Sequence, residues 1–321
     1  MNQPNRTQRF EADKDFNSQS SSVPNLWASS SRSKLLAFFA LSLVSAAVFA
    51  QFRGGSRFRG EGNFSGSGFP KTAREAEQHS NETPMWTNAP AFKKDVFTFC
   101  RIRYSSWYGG RSRGGWSTDF PDADLNLSYR LQQMTSLKVD PLGRLLEIED
   151  PDLFNYPWIY MVEVGALRFK DEEVAIMRKY LLNGGFLMVD DFWGELELEN
   201  LLREMKRVFP ERDAIELEMD HPIFHSVFDI QRTKNEMQCP NIGLGTDSER
   251  HGITWEREDA RDVHFKGIFD DKGRMMVFIA HNTDNGDGWE REGENEYYFK
   301  EFSEKRAYPL GINVIFYVMT H

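Results

Sequence analysis

The sequence predicts an α/β fold: a three-layer sandwich around a mostly parallel central sheet. Three observations predict it. Strand-like and helix-like segments alternate from Asp95 onward, the order that builds a sheet covered by helices. The strand segments are nearly continuous in apolar residues, as in "YPWIYMVEV" (Tyr156–Val164) and Phe186–Val189, the pattern of strands buried on both faces. The helical segments each carry a single apolar stripe, so each has one face to bury.

The elements follow in order. "DVFTFCRIRY" (Asp95–Tyr104) is rich in β-branched and aromatic residues and predicts a strand. A long loop, "SSWYGGRSRGGWSTDFPDAD", leads to a helix over Ala123–Ser136 with Leu127, Leu131 and Met134 on one face. "RLLEIED" is a short strand and Tyr156–Val164 a longer one. In "KDEEVAIMRKYLLNGG", Asp171, Glu172 and Glu173 occupy a first turn, where the helix dipole favours negative charge. Val174, Met177 and Leu181 form its buried stripe, and Gly184 supplies a left-handed C-terminal cap. Phe186–Val189 is then a central strand. Glu195–Pro210 is a helix with Leu198, Leu201, Leu202, Met205 and Phe209 at helical spacing and Pro210 as its stop. "GIFDDKGRMMVFIAH" predicts a hairpin turning at Asp271–Gly273, with Met275–His281 as its second strand. "AYPLGINVIFYVMTH" closes the chain as a core helix.

The first 94 residues read differently. Arg32 and Lys34, an apolar run from Leu35 and the small-residue exit at Val48–Ala50 have the layout of a secretory signal peptide cleaved after Ala50. The run is shorter than the about 20 residues a membrane span needs, so an uncleaved N-terminal membrane anchor is the alternative. Residues 51–94, opening with "QFRGGSRFRGEGNFSGSGFP", predict a Gly/Ser/Arg-rich flexible linker. The domain then spans 95–321, and the expected location is periplasmic or secreted.

Charge excludes one class of partner. The first 70 residues hold 8 of the 39 basic and 4 of the 49 acidic residues, which leaves the remainder a net charge of −14. Such a domain lacks the positive field that binds a phosphate backbone, so nucleic acid is not an expected partner. Neither a glycine-rich phosphate loop nor a G-x-S-x-G elbow is present. Of the two cysteines, Cys100 sits in an apolar run and reads as a small core residue.

In open α/β sheets, ligands bind beyond the carboxyl ends of the strands. Those ends would present Arg103, Tyr104, Glu163, Asp190, Asp191 and His281. The loop after the first strand would add Trp116, Asp119 and Asp122; Trp193 follows the aspartate pair, and "DHPIFH" brings Asp220, His221 and His225. Asp284, in "NTDNGDGWE", lies just beyond His281, in what reads as a glycine-rich acidic turn. Helix capping accounts for one of Asp190 and Asp191 but not both. Asp191, His221, His225 and His281 are the residues that would ligate a divalent metal, the one cofactor the sequence suggests. The H-x-x-x-H spacing of His221 and His225 does not match the helical H-E-x-x-H pattern, and the Asp284/Asp287 spacing does not match a calcium loop.

Several segments together, "GGWSTDFPDADLNLSYRL", "YLLNGGFLMVDDFWG", "DHPIFHSVFDI", "GIFDDKGRMMVFIAHNTDNGDGWE" and "YPLGINVIFYVMTH", resemble a bacterial family called domain of unknown function 4159. That family is similar in turn to the class I glutamine amidotransferase-like fold, particularly its trehalose-utilisation-like branch, which implies a flavodoxin-like sheet. By position, Asp190 and Asp191 fall where amidotransferases place a nucleophilic cysteine, and neither Cys100 nor Cys239 is near that turn. Covalent glutaminase chemistry needs a thiolate, so the resemblance implies the fold without that activity.

The expectation is therefore an exported, non-catalytic ligand-binding or assembly domain of the cell envelope. Its partner would be a small molecule, a carbohydrate or an envelope protein, with Trp107, Trp116, Trp193 and Trp289 as stacking surfaces. The alternative is a hydrolase acting on a carbohydrate or envelope substrate, metal-assisted or built on carboxylate and histidine.

Overall fold

The computed structural model describes residues 69–79, 82–92, 95–106 and 115–321. The signal and anchor readings, most of the glycine-rich stretch and Trp107 lie outside these residues.

Among the described residues seven strands form one sheet: β1 (Cys100–Arg103), β2 (Arg144–Glu147), β3 (Trp158–Val162), β4 (Phe186–Asp190), β5 (Ile215–Glu216), β6 (His264–Phe269) and β7 (Met275–His281). Their order is β2-β1-β3-β4-β7-β6-β5. β2, β1, β3, β4 and β7 run parallel, while β6 and β5 are added antiparallel at one edge. The chain lays β2 on one side of β1 and β3 on the other, so the topology switches direction there, which is where such sheets open a crevice.

Two cores flank the sheet, and the alternation of the strands sorts residues between them. Trp158, Tyr160, Phe186, Met188 and Phe278 face one side, with α1 (Asp122–Met134) and the C-terminal helix. Ile159, Met161, Leu187, Val189 and Ile279 face the other, with α2 (Asp171–Leu182) and α3 (Glu195–Val208). The result is three layers. Gly184 does close α2 in the left-handed region, at φ 103°, as its missing Cβ permits. The remaining helices are α4 (Ile242–His251), α5 (Asn285–Glu290), α6 (Glu296–Tyr298) and α7 (Tyr308–Thr320), the last two joined by a π-helical segment over Phe299–Ala307. Among the described residues no helix is long and apolar enough to cross a membrane, and α7 is a core helix.

Two local expectations are corrected. The stretch after Asn282 is not only an acidic turn: Asn285–Glu290 is helical, with the Asp284 carboxylate accepting the Asp287 N–H at 2.7 Å as its cap. Residues 69–79 and 82–92, expected within a flexible linker, lie against the domain. Ala73 is buried, Arg74 donates to the carbonyls of Pro141, Thr83 and Pro84, and Trp86 Nε1 donates to the Val139 carbonyl at 2.8 Å. Apolar and hydrogen-bonding side chains replace the glycines and serines there, and they have partners to bury against.

Candidate functional site

The aspartate pair after β4 splits into two roles. Asp190 ends the strand fully buried, and its carboxylate is saturated: Oδ1 accepts from Asn285 Nδ2 at 2.8 Å, and Oδ2 accepts from the Tyr160 hydroxyl at 3.0 Å and the Gly286 N–H at 3.1 Å. It ties β3 and β4 to the start of α5. Burial raises its pKa to about 6, against the pull of the Asn285 and Tyr160 hydrogen bonds. Asp191 is next, in the left-handed region at φ 49°. That turn takes its side chain out of the strand's alternation. Neither residue caps α3, whose N-cap is Gly194 with no side-chain hydrogen bond; the capping expectation is wrong because three residues separate Asp191 from the first helical turn.

Asp191 meets Asp119 and Asp284. One carboxylate oxygen from each lies within 4.8 Å of the others. All three are buried, at 5%, 4% and 4% exposure for Asp119, Asp191 and Asp284. Asp191 Oδ1 accepts from Trp193 Nε1 at 2.9 Å and Asp284 Oδ1 from the Asp287 N–H, so each is oriented through one oxygen. Asp119 Oδ2 is buried and accepts no hydrogen bond. No Lys, Arg or His among the described residues forms an ion pair with these three aspartates. Burial and then Asp287 push the Asp119 carboxyl up to about 8. Burial followed by Glu163 raises Asp191 well above the usual carboxylate range, and burial followed by Asp191 does so for Asp284.

The backbone holds this cluster by force. Asp119, Glu163, Asp191 and Asn282 all have positive φ, between 49° and 62°, without being glycine, and such conformations cost about 1–3 kcal/mol each. They are fastened to one another. The Glu163 N–H donates to the carbonyls of Asp190 and Asp191, the Asp191 N–H to Thr283, and the Asn282 N–H to Phe192. The Gly194 N–H in turn donates to Asn282 Oδ1 at 2.8 Å. Gly286 is a further requirement: a Cβ there would lie 2.1 Å from Asp119 Oδ2.

The other expected residues divide. Glu163 is half-buried beside Asp191, and burial followed by Glu197 raises its carboxyl well above the usual range. Trp193 is in the site through its indole N–H. His281 reaches the same loop from behind: Nε2 donates to the Gly194 carbonyl at 3.1 Å, Nδ1 is buried without a partner, and burial lowers its pKa to about 4. Arg103 does not converge. It pairs with Glu147, lies 3.8 Å over the Phe69 ring, and with Trp116 lines a neighbouring hollow of about 440 Å³ that none of the three aspartates lines.

His221 and His225 are absent from the cluster. His221 caps the 3₁₀ turn at Pro222–Phe224 and packs on Phe269 and Tyr317, with Phe269 paired to the start of β7, away from its carboxyl end. His225 is engaged by Asp229 and the Met219 carbonyl. The expected metal set of Asp191 with His221, His225 and His281 is thus not assembled, because His221 and His225 are engaged within their own turn and His281 is held on the Gly194 carbonyl. Trp289 is core, packed on Phe99 and Tyr160. Both cysteines are free and buried, and burial pushes Cys239 up to about 12 and Cys100 well above its usual value. Neither is a nucleophile.

Arg101 escapes the sequence analysis. It is fully buried on β1, grips Asp124 through Nε at 2.9 Å, and donates from Nη1 to the carbonyls of Trp116 and Thr118 at 3.0 and 2.7 Å. It thereby sets the loop that delivers Asp119. The model for the family "Domain of unknown function (DUF4159)" matches residues 98–319. The chain belongs to this family. The match takes in all seven strands and every residue of the aspartate cluster. A search of curated proteins found no match.

Proposed function

We propose that this DUF4159 domain is an exported ligand-binding domain whose crevice, at the carboxyl ends of β3, β4 and β7, recognises a positively charged ligand. One observation carries the reading: Asp119, Asp191 and Asp284 converge in a buried position with no basic side chain paired to them among the described residues. Each buried, unpaired carboxylate costs several kcal/mol if ionised. A neutral sugar calls for mixed donors and acceptors; a wholly anionic, acceptor-only set calls for a cation. A metal ion, an amino sugar or a peptide amine of the envelope would meet that demand.

A binding role is favoured because neither cysteine nor histidine supplies a nucleophile or base at the cluster. The order β2-β1-β3-β4-β7 supports a flavodoxin-like, class I glutamine amidotransferase-like assignment. The left-handed Asp191 between β4 and α3 sits on the kind of sharp strand-to-helix turn that carries nucleophiles in hydrolases. A second reading, a metal-assisted hydrolase, draws on Glu163, a carboxyl favoured in its protonated form beside Asp191 that would serve as a general acid.

Thermal unfolding of chelator-treated protein against glucosamine, spermidine, divalent metal chlorides and neutral maltose tests the proposal. At least one cation should stabilise the wild type and fail to stabilise the Asp191→Asn/Asp284→Asn double variant. Stabilisation by maltose alone, or an unchanged cation response in the double variant, contradicts it.

A further inference from the structure

Resting on that cation-recognition reading, we infer that the ligand is one hard divalent metal ion, held by Asp119, Asp191 and Asp284. The spacing is compatible with a single shared ion. Oxygens around Mg²⁺ sit at about 2.0–2.1 Å and around Ca²⁺ at about 2.3–2.6 Å, so oxygens sharing one ion lie within roughly 5 Å of each other. The three carboxylate oxygens, mutually within 4.8 Å, meet that condition. An alkylammonium would also have to bring its carbon chain past residues that are only 4–5% exposed.

The chemistry of the donors points the same way. They are carboxylate oxygens only, without thiolate or imidazole, a set suited to Mg²⁺, Ca²⁺ or Mn²⁺ rather than to softer metals. Asp191 and Asp284 are each oriented by a hydrogen bond to one oxygen, from Trp193 Nε1 and from the Asp287 N–H, the outer support that positions metal ligands. Asp119 supplies the independent sign of a ligand. It is 95% buried, its Oδ2 accepts no hydrogen bond, and Gly286 withholds the side chain that would fill its place.

The adjoining acids argue for a single ion. Asp287 and Glu290 also approach Asp119, but Arg291 Nε pairs with Asp287 at 3.2 Å and with Glu290 at 2.8 Å. An internal cation already occupies that side.

Isothermal titration of chelator-treated, full-length protein with Ca²⁺, Mg²⁺, Mn²⁺ and Zn²⁺ tests the inference. One equivalent of an oxygen-preferring ion should bind, Zn²⁺ should not bind more tightly, and Asp191→Asn should weaken binding at least tenfold. Asp284→Asn serves if Asp191→Asn does not fold. Gly286→Ala should weaken binding without removing any ligand. No metal binding, binding of two equivalents, or affinity unchanged in the aspartate variants overturns the inference. Should spermidine or glucosamine still stabilise the wild type but not the double variant, cation recognition survives and the metal assignment alone fails.

Discussion

Buried carboxylates of this domain are treated in opposite ways. Asp124 is buried against an equally buried Arg101, which holds it through a guanidinium fork. Asp119, Asp191 and Asp284 are buried against each other. Asp287 and Glu290 fall between these extremes, sharing Arg291. The first group is an ion pair complete within the protein. The second has no ion pair among the described residues. Burial of charge alone therefore does not mark a functional site; burial without a paired cation makes a candidate of one.

Breaking the balanced group should have the largest effect. Arg101→Leu strands Asp124 and releases the carbonyls of Trp116 and Thr118. A loss of about 3–5 kcal/mol is expected in urea unfolding. A loss below 1 kcal/mol would show that the pair is not the anchor of the Asp119 loop. Gly286→Ala comes next. Its Cβ must displace the Asp119 carboxylate, for about 1–3 kcal/mol of overpacking together with a weakened response to cations.

The pH dependence of chelated protein sharpens the contrast. A carboxyl whose pKa is raised on folding binds its proton more tightly in the folded state. Its contribution is fully present below the unfolded value of 3.8 and is lost as pH rises through the folded value, about 8 for Asp119. His281 has the opposite sign: its pKa falls from 6.5 to about 4, so it destabilises the fold in acid and falls silent above pH 6.5. Between pH 6.5 and 8.5 the chelated domain should therefore lose stability, on the order of 2 kcal/mol from Asp119 alone, with Glu290, Asp191, Asp284 and Glu163 adding in the same direction. A flat profile across that window would mean the aspartates are not electrostatically strained.

Asp191→Asn gives a smaller effect but a more telling sign. In chelator it should gain about 1 kcal/mol over wild type by removing a carboxyl that folding must bury at a cost, although it loses the hydrogen-bond acceptor strength at Trp193. A merely structural aspartate would give a loss instead. The control is Leu196→Ser, at an exposed position beside the site, for which a change within about 0.5 kcal/mol is expected.

Much of the frame was legible because it follows from periodicity. Continuous apolar runs located β3, β4 and β7, and single stripes located α1, α2 and α3. The carboxyl-end rule pointed to Asp190 and Asp191 and, through the loop after β1, to Asp119, whereas Asp284 read as part of a glycine-rich acidic turn. What it could not supply was direction. Adjacent aspartates diverge because Asp191 adopts a left-handed conformation, which nothing in "MVDDFWG" announces. His221 and His225 looked like ligands by type, but their turns had already engaged them. Arg101 was hidden inside a strand read as apolar, since its partner Asp124 is supplied by a helix 23 residues on. Pairing across elements is a property of the fold, not of spacing along the chain.

Terbium luminescence tests the cation site most directly, because Trp193 donates its indole N–H to Asp191 and so stands beside any ion bound there. Excitation of tryptophan in chelator-treated wild type with added Tb³⁺ should give sensitised emission that Ca²⁺ displaces, that Trp193→Phe reduces, and that Asp191→Asn abolishes. Emission from the wild type no stronger than from Asp191→Asn would contradict a metal ion held by Asp119, Asp191 and Asp284.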